Sequence, residues 1–453
     1  MGTGTAPSVL APSTTWDRLQ LWKMDLSGAF TLLDFNPADV PLLGTELQGE
    51  IVAFFQCGLF GWTCMPAAFQ VLNRAIKWEL SQPGVLDGLM DMYTDDMIGV
   101  SLDTSVTRDM DAARRLCTGL LGPTAVEEKK SEWGRRLTII GWDIDLDQRL
   151  VSIARRNALK AYYGFAEVDI EKKVPTATIQ RWASWAERYG EICIFMRPFR
   201  RVLYSLIRPE LQHQSVPVSP TARRVVRLYQ ALLALSVIKE QSFTRSLSSF
   251  VHKPPTLIIQ FDGSLTGSGV TWTRVEDQKP SALLGGFSLC LRSLEFQGDP
   301  AFQNCAEFIS VTVGVIGAII LGFDVSSVLL KGDSVTALTW AEDGRFKSDN
   351  VTNAATVFTM VCATKGFHVV GTELVTSADN WMCDGLSRRE PSEPWGQLME
   401  RTFKNHSDCR IPQEITLDGM EEVLNLCDPR LEWDNDDSFA VYWRRVYELV
   451  IRL

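Results

Sequence analysis

The sequence predicts an α+β and α/β multidomain protein, and three observations predict it. Short apolar runs punctuated by Gly and Pro fill residues 21–150. Residues 151–253 instead carry apolar residues at helical spacing, for example Val225, Leu228, Leu232 and Leu235. After the break at Pro254 and Pro255, three strand-like runs precede a long apolar helix, and strands and helices then alternate.

Residues 1–20 are small, Pro-containing and without period, and are expected to be a disordered or truncated start. The domain at 21–150 is expected to mix the strand-like runs LWKMDLSGAFTLLDF, IVAFFQCGLFGW, MYTDDMIGVSL and RLTIIGWDIDL with helices after Pro66 and across 109–121. The last large domain, 254–390, reads as strands at 256–261, 269–274 and 286–291, a helix at 306–321, strands at 327–331 and 368–374, and a helix at 380–387. Residues 391–453 read as an acidic helical tail. There is no internal repeat.

Composition excludes several classes. With 453 residues, 45% hydrophobic and 22% charged, the chain has apolar material for two or three cores and is not generally disordered. The uncharged apolar-looking stretch 308–323 is 16 residues, below the roughly 18 that span a bilayer, so a buried core helix is expected there and no membrane partner. The N-terminus has no basic flank leading into a long apolar core, and an intracellular location, cytoplasmic or nuclear, is expected. Ten cysteines include no C-x-x-C pair and only four histidines accompany them, so neither a zinc site nor a disulfide framework is expected.

The net charge of −10 is unevenly spread: residues 149–253 hold 18 Lys/Arg against 7 Asp/Glu, a charge of +11 that leaves −21 elsewhere. The basic clusters Arg155-Arg156, Arg197 with Arg200-Arg201, and Arg223-Arg224 with Arg227 alternate with Trp182, Trp185, Tyr189, Phe195 and Phe199. Such a stretch suits a phosphate backbone, and equally a solvated helical face.

Two constellations of acids carry chemistry. In the first, Asp91-Met92-Tyr93-Thr94-Asp95-Asp96 sets paired aspartates between two strand-like runs, as a hairpin turn would. Side-by-side carboxylates repel unless a cation neutralises them, and hard oxygen ligands favour Mg2+. Upstream, Lys23-Met24-Asp25-Leu26-Ser27-Gly28-Ala29-Phe30 ends an apolar strand on one Asp, and between them Gly58-Leu59-Phe60-Gly61-Trp62 leads into a helix through Phe69 and Gln70. In the second, Asp262 ends the strand at 256–261, Glu307 opens the long helix, Asp333 follows the strand at 327–331, and Asp384 lies in Asn380-Trp381-Met382-Cys383-Asp384-Gly385-Leu386-Ser387-Arg388.

In this order the first set resembles the palm motifs of reverse transcriptases, over most of residues 21–150. The resemblance implies that Asp25, Asp95 and Asp96 hold two Mg2+ ions, with Mn2+ as a substitute. It further implies that Phe30, Gly61 and Gln70 line the deoxynucleoside triphosphate, and that Tyr93, Gly141 and Trp142 touch primer and template. Lys129 or Lys130 would belong to a later palm motif. The second set, with three strands before the first helix, resembles ribonuclease H, which implies that Asp262, Glu307, Asp333 and Asp384 hold two further metal ions that activate water against RNA. The stretch at 151–253 would be a helical thumb and connection, with Arg155, Arg156, Arg200 and Arg201 tracking an RNA–DNA hybrid.

The whole resembles the polymerase region of gypsy-like or DIRS-like retrotransposons. The expected function is that of an RNA-directed DNA polymerase with ribonuclease H activity, its partners an RNA template, a DNA primer, the hybrid and deoxynucleoside triphosphates. Two departures stand out. Only 24 residues precede Asp25, so the resemblance implies a chain short of the fingers region and a weak polymerase. Where many ribonucleases H carry a loop His before the last Asp, this chain has Leu374, and the nearest histidine is His368. A decayed remnant that only binds nucleic acid is the alternative reading. The sequence leaves open whether a second subunit joins it.

Overall fold

The computed structural model describes residues 16–42, 44–47, 51–58, 64–190, 200–207, 214–238, 244–250, 254–294, 296, 302–344, 349–406, 409–433 and 435–453. Gly61, Arg197, Phe195 and Phe199 lie outside the described residues. The chain separates into two compact units, Met1–Ala154 and Arg155–Leu453.

In the first unit the strand pattern reads as expected. Strand β1 (Leu19–Asp25) lies between the hairpin β2 (Leu89–Tyr93) and β3 (Asp96–Leu102) on one side and β4 (Glu132–Gly134) on the other, in the order β2-β3-β1-β4. Alternation along β1 sends Met24 inward, onto helices α1 (Met65–Leu80) and α2 (Val106–Leu121), where Phe69, Ile76, Met97, Met110 and Ala113 complete a core. Trp22 is fully buried opposite Gly99, where an added Cβ would stand 2.0 Å from the indole. Asp109, on α2, accepts from the amides of Asp87 and Gly88 at 3.1 and 2.9 Å and from Ser101 at 2.6 Å, which fixes where β2 begins. The strands β5 (Arg136–Ile139), β6 (Trp142–Asp145) and β7 (Leu150–Ile153) follow as an antiparallel meander. Ile140 and Gly141, both at positive φ, turn its first hairpin.

The second unit begins with α3 (Arg155–Ala166), α4 (Thr176–Gly190), α5 (Arg200–Tyr204) and α6 (Pro220–Ile238). Phe165 stacks on Trp182 at 5.4 Å and meets Trp185 and Tyr229. The helical period therefore turns Trp182 and Trp185 inward as core, not outward toward a ligand. Several of the basic residues are also spent within the protein. Arg200 pairs with Glu187 at 2.8 Å, Arg223 and Arg227 both with Glu171, and Arg224 lies over Trp433. Arg155 and Arg156 open α3 and are exposed; Arg201 lies within α5.

A five-stranded sheet follows in the same unit. Strands β8 (Leu257–Gly263), β9 (Gly267–Glu276) and β10 (Lys279–Cys290) are antiparallel, and β11 (Val328–Gly332) and β12 (Val369–Leu374) add in parallel to β8, giving β10-β9-β8-β11-β12. The long helix α7 (Gln303–Ile320) has the length and apolarity of a membrane span, but 78% of it is buried within the unit. It packs on β8 and β9 with one face and on α8 (Val335–Asp343), α9 (Thr352–Lys365) and α12 (Met420–Cys427) with others, which is why it is apolar all round. Helix α10 (Trp381–Ser387) lies on β8 and β9 as well.

The 391–453 segment is built onto this sheet domain. Leu398, Met399 and Phe403 of α11 (Trp395–Phe403) join Leu386 in one cluster. Tyr442 of α13 (Asp436–Arg452) stacks on Trp433, whose indole N–H donates to Asn353 at 2.7 Å.

Glycine sets the closest approach. A Cβ at Gly263 would stand 2.6 Å from the backbone of Ala306 and Glu307, so β8 and α7 touch there. Gly263→Ala is expected to push the helix off the strand and destabilise the Arg155–Leu453 unit by about 1–3 kcal/mol. Urea unfolding followed by tryptophan fluorescence checks this; an unchanged midpoint contradicts it.

Candidate active site

The first set of acids lies at one end of the β2-β3-β1 sheet. Register places Asp25 directly opposite Asp96, and the amide of Leu26 donates to the carbonyl of Asp95 at 2.8 Å. The hairpin turns through Thr94 and Asp95, with Thr94 at φ 53°, a left-handed conformation that a β-branched residue rarely adopts. Asn73 of α1 donates to the Thr94 carbonyl at 2.8 Å and braces the turn.

Burial pushes the Asp96 carboxyl above its ordinary range, and the charges of Asp95 and Asp25 push it further, against Lys23 and Lys130. The Lys130 ammonium sits 2.7 Å from Asp25, so a built-in cation already occupies that carboxylate. Sequence reasoning named Lys129 or Lys130 without seeing this pairing. Asp25, Asp95 and Asp96 do not bring their oxygens together within 4.8 Å.

The residues expected around this set lie in several elements, with Tyr93 paired across the hairpin from Asp96. Phe30 is buried in the core, edge-on to Phe69 at 5.5 Å, while Gln70 and Tyr93 are exposed. Gly141 and Trp142 belong to the β5-β6 hairpin.

Three of the four acids of the second set converge. Asp262 near the end of β8, Glu307 in the first turns of α7 and Asp333 just past β11 each bring a carboxylate oxygen within 4.8 Å of the others, alone in doing so among the described residues. Topology explains the meeting: β8 and β11 are parallel neighbours, so their C-terminal ends share one edge. Gly263 then lets α7 deliver Glu307 to that edge. Asp262 and Glu307 are 6% and 7% exposed.

Burial pushes Asp262 up to about 6, with the charges of Asp333 and Asp384 adding and the Ser387 hydroxyl opposing. Burial likewise pushes Glu307 up to about 8, reinforced by Asp262 and Asp333 and opposed by Gln303 and the Gly263 amide. Gln303 donates to Glu307 at 3.1 Å, and the Gly263 N–H donates to its other oxygen at 3.1 Å.

Asp384 is not part of this group. It accepts two hydrogen bonds from Arg388, at 2.8 and 2.6 Å. Three residues that the sequence did not single out touch the acids instead: Asn380 reaches Asp262 and Asp333, Ser387 donates to Asp262, and Ser377 donates to Asp333 at 2.9 Å. Neutral and uncharged, they gave no signal beyond their nearness to Asp384. His368 contributes its backbone to the sheet edge, and Leu374 ends β12 exposed.

Three converging carboxylates, two of them buried and raised, could hold a hard divalent cation. A buried cluster of like charges is stable only if protonated or neutralised, and Asp262, Glu307 and Asp333 are the residues that would hold such an ion.

No protein-family model matches the sequence, and no curated protein matches it. Solved structures similar to it include the foamy viral protease-reverse transcriptase in complex with an RNA/DNA hybrid, at 12% identity and TM-score 0.39, covering 83% of this chain and 46% of that one. The same viral protein with double-stranded DNA, in a form designated dRH, matches at 13% identity and TM-score 0.38, covering 79% and 57%. A further complex with double-stranded DNA matches at 15% and 0.37, covering 70% and 60%. This chain thus spans about half the length of the structures it matches.

The raised acids set a pH dependence. Folded-state values above the ordinary carboxylate range mean that the folded protein keeps protons which the unfolded chain has released. The associated stability is full below the ordinary range and is lost as pH rises through about 6 for Asp262 and about 8 for Glu307. Metal-free protein should therefore melt lower at about pH 8.5 than at about pH 5, and Glu307→Gln should flatten that slope. Parallel slopes for the two proteins in thermal melts with chelator would contradict the assignment.

Proposed function

We propose that the Arg155–Leu453 unit is a ribonuclease H acting on the RNA strand of an RNA–DNA hybrid. We further propose that the chain is the reverse transcriptase and ribonuclease H portion of a retroelement of the gypsy-like or DIRS-like kind. The observation that carries this reading is the convergence of Asp262, Glu307 and Asp333 at one edge of the β10-β9-β8-β11-β12 sheet. The order of strands and helices agrees with the one the ribonuclease H resemblance implies.

Mg2+, or Mn2+ in its place, would be held by these three acids and would supply an activated water and a stabilised leaving oxygen. The chain's own residues bind and orient. Gln303 and the Gly263 amide orient Glu307, and the burial around the acids excludes bulk water from them. At about pH 7 the proton on Glu307 has to leave before that carboxylate can bind a cation. Arg388, paired with Asp384, and the exposed Arg155 and Arg156 are the cations we propose for contact with nucleic-acid phosphates.

For the first unit, a palm acting on deoxynucleoside triphosphates, a template and a primer is the corresponding proposal. It is supported by the Asp25–Asp96 register and the Asp95 turn. The Lys130–Asp25 pair and the separation of the three acids favour weak polymerisation, because a metal ion there must first displace an ammonium.

Labelled RNA–DNA hybrid incubated with the purified chain and Mg2+ should lose its RNA strand. Asp262→Asn should reduce cleavage to background, whereas Asp95→Asn should leave it unchanged. Binding of the hybrid without cleavage would favour the remnant that only binds nucleic acid. A primer-extension assay on an RNA template should give little product, and robust extension would overturn the account of the first unit.

A further inference from the structure

Helix α10 brings two uncharged donors to the acids. Asn380 stands at its N-cap, where an Asn side chain ordinarily accepts from the amides of the first turn, yet here it makes no such bond. Its Oδ1 accepts from Gln260 at 2.9 Å, which fixes the orientation of the amide. Its Nδ2 then faces the Phe261 carbonyl at 3.0 Å, Asp333 Oδ1 at 3.2 Å and Asp262 Oδ1 at 3.4 Å. At the other end of the helix, the Ser387 hydroxyl donates to Asp262 Oδ2. Both residues are buried, at 0% and 1% exposure.

Each oxygen of Asp262 thus meets a neutral donor from one short helix, and Asp333 shares one of them. Helix α10 is itself fixed. Trp381 stacks on His406 at 3.8 Å and meets Phe403 edge-on at 4.9 Å. Gly269 lets the helix backbone close onto β9, since a Cβ there would stand 2.2 Å from the Cys383 carbonyl.

We infer that Asn380 and Ser387 are positioning residues that clamp Asp262 and Asp333 into a converged pair before any divalent ion arrives. This rests on the reading of Asp262, Glu307 and Asp333 as a cation site. Neutral donors suit the task because they order the carboxylates without cancelling their charge. An ammonium or guanidinium would compete with the ion for the same oxygens, as Lys130 does at Asp25 and Arg388 at Asp384.

The test is Mn2+ binding to the full chain at neutral pH, followed by the loss of free-ion paramagnetic resonance signal, alongside thermal melts with chelator and with saturating Mn2+. The parent should bind saturably. Asn380→Ala and Ser387→Ala should each weaken Mn2+ by about tenfold or more with unchanged far-UV circular dichroism. Asn380→Asp, which replaces the donor by another carboxylate, should melt below the parent in chelator and close that gap with Mn2+.

A parent that binds no Mn2+ removes the cation-site reading itself. A parent that binds, with Ser387→Ala and Asn380→Ala within about twofold of it, overturns the clamp and leaves that reading standing. Should Asn380→Ala fail to fold, the other two variants decide: affinity near the parent's in Ser387→Ala, or a melting gap in Asn380→Asp that Mn2+ does not close, contradicts the inference.

Discussion

Electrostatic repulsion among Asp262, Glu307 and Asp333 is the constraint around which the second unit is organised. Two unit charges about 4 Å apart repel by about 4 kcal/mol at an effective dielectric constant of 20, and three such pairs meet here. Hydrogen bonds to charged groups contribute about 1.5–3 kcal/mol each. The donors from Asn380, Ser387, Ser377, Gln303 and the Gly263 amide therefore oppose that repulsion with a contribution of the same order. Burial first, and the neighbouring charges after it, still hold Asp262 and Glu307 above the ordinary carboxylate range, so a proton or a cation has to complete the neutralisation.

The same problem is solved differently elsewhere in the chain. Asp25 is neutralised by Lys130, Asp384 by Arg388, and the fully buried Asp109 by Arg108 at 3.6 Å, with two backbone amides and a serine donating to it as well. Where the protein supplies its own cation, a metal ion must compete with it. Where it supplies only neutral donors, the charge stays available. That contrast separates the acids at the edge of β8 from Asp25, Asp384 and Asp109, although all of them stand out equally as Asp or Glu in the sequence.

Much of this was legible in the sequence. The period-two run into Asp25, the Tyr93–Asp96 hairpin and the three strands before a long apolar helix follow from alternation and turn chemistry, which are local. Local pattern also explains why α7, although apolar enough to resemble a span, could be read as a core helix. Convergence of Asp262, Glu307 and Asp333 was inferable because acids at the ends of parallel neighbouring strands share an edge.

Three things were not legible. Partner choice is a matter of tertiary distance, so neither the capture of Asp384 by Arg388 nor that of Asp25 by Lys130 could be seen. Uncharged donors such as Asn380 and Ser387 look like any helix cap. The aromatic residues Trp182 and Trp185 stand among basic clusters that suit a phosphate backbone, yet a helical period places them around Phe165. Calorimetric titration of Mn2+ into the protein at about pH 7, repeated in buffers of different ionisation enthalpy, tests the central claim most directly. Saturable binding that releases about one proton from the acid pair is the predicted result. Binding without proton release, or no binding at all, would contradict it.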